Sequence, residues 1–157
     1  MREIRFIDQT QTKALKEALS LVRHVFWEFN AQSYSDEGVM EFSDYIEFSA
    51  MHARMERGEV VMLGCYENKR LAGVIGLRVP SHICLMFVAK PYQRRGVAGA
   101  LLQAVIRCVR QLSGETEISV NASPYAALIY QKMGFVPTDD ERVLNGLRFV
   151  PMAFTIT

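Results

Sequence analysis

The residues best suited to chemistry in this chain lie together in one stretch, Val88-Ala89-Lys90-Pro91-Tyr92-Gln93-Arg94-Arg95-Gly96-Val97-Ala98-Gly99-Ala100. An apolar, strand-like end gives way to a basic loop containing glycine, and apolar residues then recur at helical spacing. The first N–H groups of a helix have no internal partners and carry the positive end of its dipole. Gly96, Ala98 and Gly99 leave that backbone open to close approach, and Arg94 and Arg95 add charge at the same place. Such a turn is suited to holding phosphate. A nucleoside-triphosphate loop would need Gly-Lys-Ser/Thr, which is absent, and a dinucleotide fingerprint needs a third glycine where Leu101 stands.

Three other side chains could handle protons or electrons. His82, at the start of an apolar run, can accept an ammonium proton with a reference pKa of about 6.5. Cys84 shares a strand face with it by period two, yet no His-Asp pair is visible to activate the thiol as a nucleophile. Tyr130, beside Leu128 and Ile129, reads on its own as an amphipathic core tyrosine. Cys65 and Cys108 read as core, and Trp27, Phe29, Tyr34 and Phe42 as core or as the lining of an acceptor pocket.

These residues need elements to position them. Ile4, Phe6 and Ile7 suggest a short strand, and Leu15, Ala18, Leu19, Val22, Phe26 and Phe29 a helix. Val39, Phe42, Ile46 and Met55 suggest one looser helix ending near Gly58. Val60 to Tyr66 and Leu71 to Val79 read as strands around a tight polar turn, Glu67-Asn68-Lys69-Arg70. His82 to Val88 is apolar almost throughout, as a strand in the middle of a sheet should be. Gly96 opens a helix that Ser113-Gly114 stops, and a strand from Glu117 to Asn121 follows. Ser123 as N-cap, Pro124 at the first helical position and Gly134 as terminator bracket a helix of about ten residues. Phe135 to Pro137 and Arg148 to Ile156 close the chain as strands, with Pro151 arguing for a sheet edge or a bulge.

Bulk properties set limits. A length of 157 residues suits one domain over residues 1–157, and half of these residues are hydrophobic. Eighteen basic against seventeen acidic side chains supply no broad field for a nucleic acid, so any anion is bound locally. Three scattered cysteines suggest neither a disulfide framework nor a metal site, and suit a reducing cytoplasm. The start lacks an apolar signal core, and no run reaches the roughly 18 apolar residues of a membrane span. The expectation is a cytoplasmic protein without nucleic-acid or membrane partners.

Gln93-Arg94-Arg95-Gly96-Val97-Ala98 resembles the Q/R-x-x-G-x-G/A motif of the GCN5-related N-acetyltransferase (GNAT) family, whose loop cradles the pyrophosphate of coenzyme A. Asn121, Ala126, Tyr130 and Gly134-Phe135 resemble its second signature, in the expected order and at a typical separation. The resemblance covers nearly the whole chain and is weakest from Asn30 to Gly58. It implies an α/β (α+β) fold, a single mixed, mostly antiparallel sheet flanked by helices. It implies acetyl-CoA as cosubstrate without a metal, an amine acceptor, and direct transfer in a ternary complex. Gln93, Arg94, Arg95, Gly96, Val97, Ala98 and Gly99 would hold the pyrophosphate, Asn121 would hydrogen-bond the pantetheine amides, and Ala126 of the second signature would also border the coenzyme. Met86, Phe87 and Val88 match the strand along which the pantetheine arm lies, with the N–H of Phe87 or Val88 on the thioester carbonyl. The resemblance puts Tyr130 beside the coenzyme sulfur as general acid. It puts His82 where a glutamate serves as general base in the histone-acetylating branch, with Glu28, Glu37 or a water chain as rivals. Homodimers are common among such proteins. A non-catalytic acyl-CoA sensor of the same fold is the alternative, against which Tyr130 argues.

Overall fold

The computed structural model, which describes residues 1–157, contains eight strands and five α-helices. They are β1 (Arg2–Ile7), α1 (Thr12–Val25), α2 (Asp36–Tyr45), α3 (Phe48–Glu56), β2 (Val60–Glu67), β3 (Arg70–Arg78) and β4 (His82–Val88). Then come α4 (Val97–Leu112), β5 (Glu117–Ala122), α5 (Ala127–Lys132), β6 (Val136–Pro137), β7 (Arg142–Leu144) and β8 (Leu147–Thr155). The sheet runs β1-β2-β3-β4-β5-β8-β6, with β7 hydrogen-bonded to β8. Every pairing is antiparallel except β4 with β5. The apolar run of β4 therefore sits at the centre of the sheet, as its composition requires.

Each face of the sheet has its own core. One gathers Leu101, Leu102, Val105 and Val109 of α4 with Ile83, Ile118, Val120, Tyr130 and Phe135. The other gathers Leu15, Ala18, Leu19 and Val22 of α1 with Met51, Met55, Met62, Val74 and Leu85. In α1 the buried residues recur every three or four positions, so one stripe seals against the sheet, whereas α4 buries a broader face that includes Ala104, Val105 and Ile106 in succession. α4 packs over Gly73, where a Cβ would stand 2.8 Å from Val97 Cγ1. That glycine lets the start of α4 settle onto β3 beside β4.

Several elements differ from the sequence expectations, each for a local reason. α1 stops at Val25, and Phe26–Asn30 form one π-helical turn where a continuous helix is expected. The single helix expected up to Gly58 is two, because Ser35 Oγ accepts from Gly38 N at 3.2 Å and Glu47 Oε2 accepts from Ala50 N at 3.0 Å, each capping a separate start. α5 is six residues long, since Ser123 caps a turn, with Ala126 N donating to its Oγ at 3.2 Å, and the helix begins only at Ala127. β7 is unforeseen. It turns back into β8 through Asn145-Gly146, both at positive φ, the two-residue turn that matches strand twist. Pro151 lies on an interior strand, not at an outer edge. Its missing N–H falls between the segments of β8 paired with β6 and β7, where its carbonyl accepts from Thr138 N at 2.9 Å.

Candidate active site

β4 and β5 pair only at His82↔Ser119 and Ile83↔Val120, and beyond that the two parallel strands part. The cause lies in β4 itself. Opposite β3, Leu77 pairs with Ile83 and Gly76 with Leu85, so Cys84 is an extra residue that bends the strand away from β5. Gly76 makes room, since a Cβ there would meet Cys84 Sγ at 3.2 Å and Leu85 Cβ at 3.3 Å. The result is a V-shaped gap walled by backbone.

Which backbone groups face the gap follows from register. Antiparallel neighbours alternate between pairs that exchange hydrogen bonds and pairs that do not. Ala89 N donates to Ala72 O at 2.9 Å. Val74–Phe87 and Gly76–Leu85 are therefore the bonded pairs, and Gly73–Val88 and Ile75–Met86 are not. The Phe87 N–H consequently points into β3, contrary to the expectation that it faces a thioester. The open groups belong to Met86, the first beyond the bulge, and to Val88. Gln93 Nε2 donates to the Val88 carbonyl at 3.0 Å, tying the loop to the end of β4.

The turn that follows has the form expected of an anion cradle. Arg94 and Gly96 take left-handed conformations with φ of 64° and 82°, which curls the chain immediately before α4. Gly96 immediately precedes α4 and its carbonyl accepts from Ala100 N, while the N–H groups of Val97, Ala98 and Gly99 have no acceptor in the protein. A Cβ on Gly99 would touch nothing within 4 Å. Arg2, unnoticed in sequence, braces the back of this turn. Its guanidinium donates to the Arg95 carbonyl at 2.7 Å and the Gly96 carbonyl at 3.3 Å while paired with Glu67. Only the sheet register, which lays β1 beside β2, brings it there.

Tyr130 is buried with its ring edge-on to Phe135, 5.2 Å between centroids, and its hydroxyl has no hydrogen-bond partner. Its ring belongs to the α4-side core, whereas Cys84 packs on the α1 side. Burial pushes the phenol's pKa above its ordinary value, so it stays protonated. Asn121 lies just past the last β4–β5 pair with its side chain exposed, and Ala126 opens the turn into α5. His82 is partly buried, with Nδ1 2.8 Å from Ser119 Oγ. Burial, with a smaller contribution from Arg78 across β3, lowers its pKa to about 4, so the ring is neutral at ordinary pH. Cys84 is pushed upward, chiefly by burial, and remains a thiol. Cys65 and Cys108 are buried and free.

The helical segment before β2 crosses the mouth of the gap. Glu28 pairs with Lys90 at 3.3 Å, Phe29 stacks on Tyr125 at 5.5 Å, and Asn30 Nδ2 donates to Ser123 Oγ at 2.9 Å. Three consecutive residues thus reach both loops that flank the gap. Behind them a run of rings leads from Tyr34 through Phe26 and Phe42 to Phe87 on β4. Trp27 is largely exposed and stands apart from that run, and Glu37 is exposed on the first turn of α2. Ser123, expected only as a helix cap, and Asn30 thus meet at the mouth of the gap. The far side is closed where Gly38 of α2 meets Gly146 of the β7–β8 turn, each glycine lying where a Cβ would collide with the other's backbone.

A backbone gap beside a basic helix start, with a protonated phenol and a neutral imidazole near it, can hold a phosphorylated thioester and manage the protons of acyl transfer. A family model described as an acetyltransferase (GNAT) domain matches residues 30–156. The uncharacterised N-acetyltransferase YafP of Escherichia coli (strain K12) is 29% identical over 113 residues, covering 72% of this chain and 69% of that one. A GCN5-related N-acetyltransferase of Rhodopseudomonas palustris superposes with a TM-score of 0.82 at 21% identity, over 99% of this chain and 96% of the other. The PaiA N-acetyltransferase of Thermoplasma acidophilum, solved in complex with coenzyme A, gives a TM-score of 0.80 at 17% identity over 99% of both chains. The chain belongs to the GNAT family of acetyltransferases, and its cosubstrate is acetyl-CoA.

Proposed function

We propose that residues 1–157 form one catalytic domain that passes an acetyl group from acetyl-CoA directly to a primary amine while both substrates are bound. The observation that carries this reading is the gap between β4 and β5, opened by the bulge at Cys84 and ending at the free N–H groups before α4. Val97, Ala98 and Gly99 offer those groups to the pyrophosphate, with Gln93 and Gly96 shaping the turn and Arg94 and Arg95 adding charge. The open backbone of Met86 and Val88 takes the pantetheine arm as a neighbouring strand would, and Asn121 binds it from β5. The Met86 N–H, in place of that of Phe87, polarises the thioester carbonyl, a donor worth about 3 kcal/mol in comparable acyl transfers.

The amine nitrogen attacks the carbonyl carbon, and the carbon–sulfur bond then breaks. Neutral His82 takes a proton from the nitrogen, which grows acidic as the new bond forms, and Tyr130 gives its phenolic proton to the departing thiolate. Solvent restores both groups. Cys84, held as a buried thiol, takes no covalent part. The free cysteines suit a reducing cytoplasm, and no helix is long and apolar enough to cross a membrane.

Thiol release from acetyl-CoA, followed across lysine, spermidine, an aminoglycoside and a peptide with a free N-terminus, tests the reading. Intersecting double-reciprocal lines with an active amine are expected. Parallel lines with acetyl trapped on Cys84 contradict direct transfer, and coenzyme binding without transfer to any amine favours the sensor.

A further inference from the structure

At the closed end of the gap three strands present side chains at one level: Arg78 on β3, His82 on β4 and Ser119 on β5. The two neighbours act on the histidine differently. Arg78, together with burial, disfavours the charged ring. Ser119 touches it, with Oγ 2.8 Å from Nδ1, while Nε2 has no partner in the protein. The backbone is pinned at the same point, since Ser119 N donates to Ser81 O at 3.0 Å, just before the strands part. The hydroxyl is therefore held in fixed relation to the ring and to the gap.

A neutral imidazole carries one N–H, and which nitrogen holds it is set by the partner of the other. We infer that Ser119 is a positioning residue of the transfer site, accepting a hydrogen bond from Nδ1–H of His82 so that the Nε2 lone pair is kept for the acceptor amine. With the opposite tautomer, the serine would donate to Nδ1 and Nε2–H could only donate, leaving His82 unable to take a proton through its free nitrogen. This inference rests on the reading of His82 as base. Ser119 acts through the ring and touches neither substrate.

The test joins a spectroscopic and a kinetic measurement. In the ligand-free protein, ¹⁵N shifts of the His82 ring should show the Nδ1–H tautomer, and Ser119→Ala should move the ring toward Nε2–H. With the best amine of the panel, Ser119→Ala should lower kcat about five- to tenfold, the scale of one hydrogen bond, at unchanged KM for acetyl-CoA. Ser119→Thr, which restores the hydroxyl, should recover both. An Nε2–H ring in the unaltered protein, or a Ser119→Ala variant with unchanged tautomer and rate, overturns the inference. His82→Gln separates the two levels. Normal turnover in that variant removes the base assignment and the inference with it, whereas a slow His82→Gln beside a normal Ser119→Ala removes the inference alone.

Discussion

The two sides of the gap are built from different materials. On the α4 side the binding groups are backbone N–H groups, supplied by one continuous run from Met86 to Gly99. On the α1 side the wall is assembled from segments far apart in the chain, where Phe29 and Asn30 of the π-turn meet Tyr125 and Ser123, and Gly38 of α2 packs on Gly146 of the β7–β8 turn. A backbone site depends on conformation and tolerates change in most side chains. A side-chain site changes with each residue. On the proposed reading, the α4 half serves the acetyl donor and the α1 half the acceptor amine, so the two should respond differently to substitution.

Substitutions on the two sides should behave accordingly. The largest effect is expected from Tyr130→Phe, which keeps the ring against Phe135 and removes the proton donor. Turnover should fall about 10²–10⁴-fold where chemistry is limiting, with coenzyme affinity unchanged. An undiminished rate removes Tyr130 as the acid. Next comes Gly96→Val. A side chain at φ 82° costs roughly 1–2 kcal/mol or more, so the turn should flatten and coenzyme affinity, read by calorimetry, should drop at least about tenfold in a protein that still folds. Unchanged affinity would show that the curled turn does not hold the coenzyme.

On the acceptor side, Gly38→Ala should force α2 away from the β7–β8 turn. The cost is about 1–3 kcal/mol of stability, and the KM of the amine should rise more than that of acetyl-CoA. Equal changes in both constants would break the division into two halves. His82 adds a pH effect on stability. Its folded pKa of about 4 lies below the ordinary 6.5, so between these values the unfolded chain binds a proton that the folded chain does not. Stability should be full above pH 6.5 and decline as pH falls toward 4, and His82→Gln should flatten that part of the denaturation profile. The smallest effect is expected from Asn30→Ala, which removes one hydrogen bond of the bridge, about 1 kcal/mol, and should quicken amide exchange in Phe26–Asn30 without altering coenzyme binding.

The same division explains what the sequence made legible. The α4 half is local: strand, basic turn, glycine and helix follow in order, so Gln93 to Gly99 could be read directly. Gly134 is legible as a helix terminator, whereas Tyr130 on its own reads as a core tyrosine and stands out only through the resemblance to the family's second signature. Arg2, Asn30 and Ser119 are not legible, since each owes its place to register between distant strands or to a helix crossing a loop, and Ser123 is legible only as a cap. The β7–β8 hairpin does carry a local signal in Asn145-Gly146, the strongest two-residue hairpin turn, but β7 itself is three exposed residues with no apolar run to mark a strand. Phe87 shows a subtler limit. Sequence located the strand correctly, but the bulge at Cys84 decides which residues turn their N–H toward the gap, and a one-residue insertion is invisible in a continuous apolar run.

That alternation offers the most direct test of how the cosubstrate is held. Backbone ¹H–¹⁵N spectra should be followed while coenzyme A is added to the unaltered protein. The account predicts large shifts at Met86, Val88, Val97, Ala98 and Gly99, with the intervening Phe87 amide, bonded into β3, moving least along β4. Shifts confined to other surfaces, or a Phe87 response larger than those of Met86 and Val88, would contradict the claim that this gap and its backbone bind the acetyl donor.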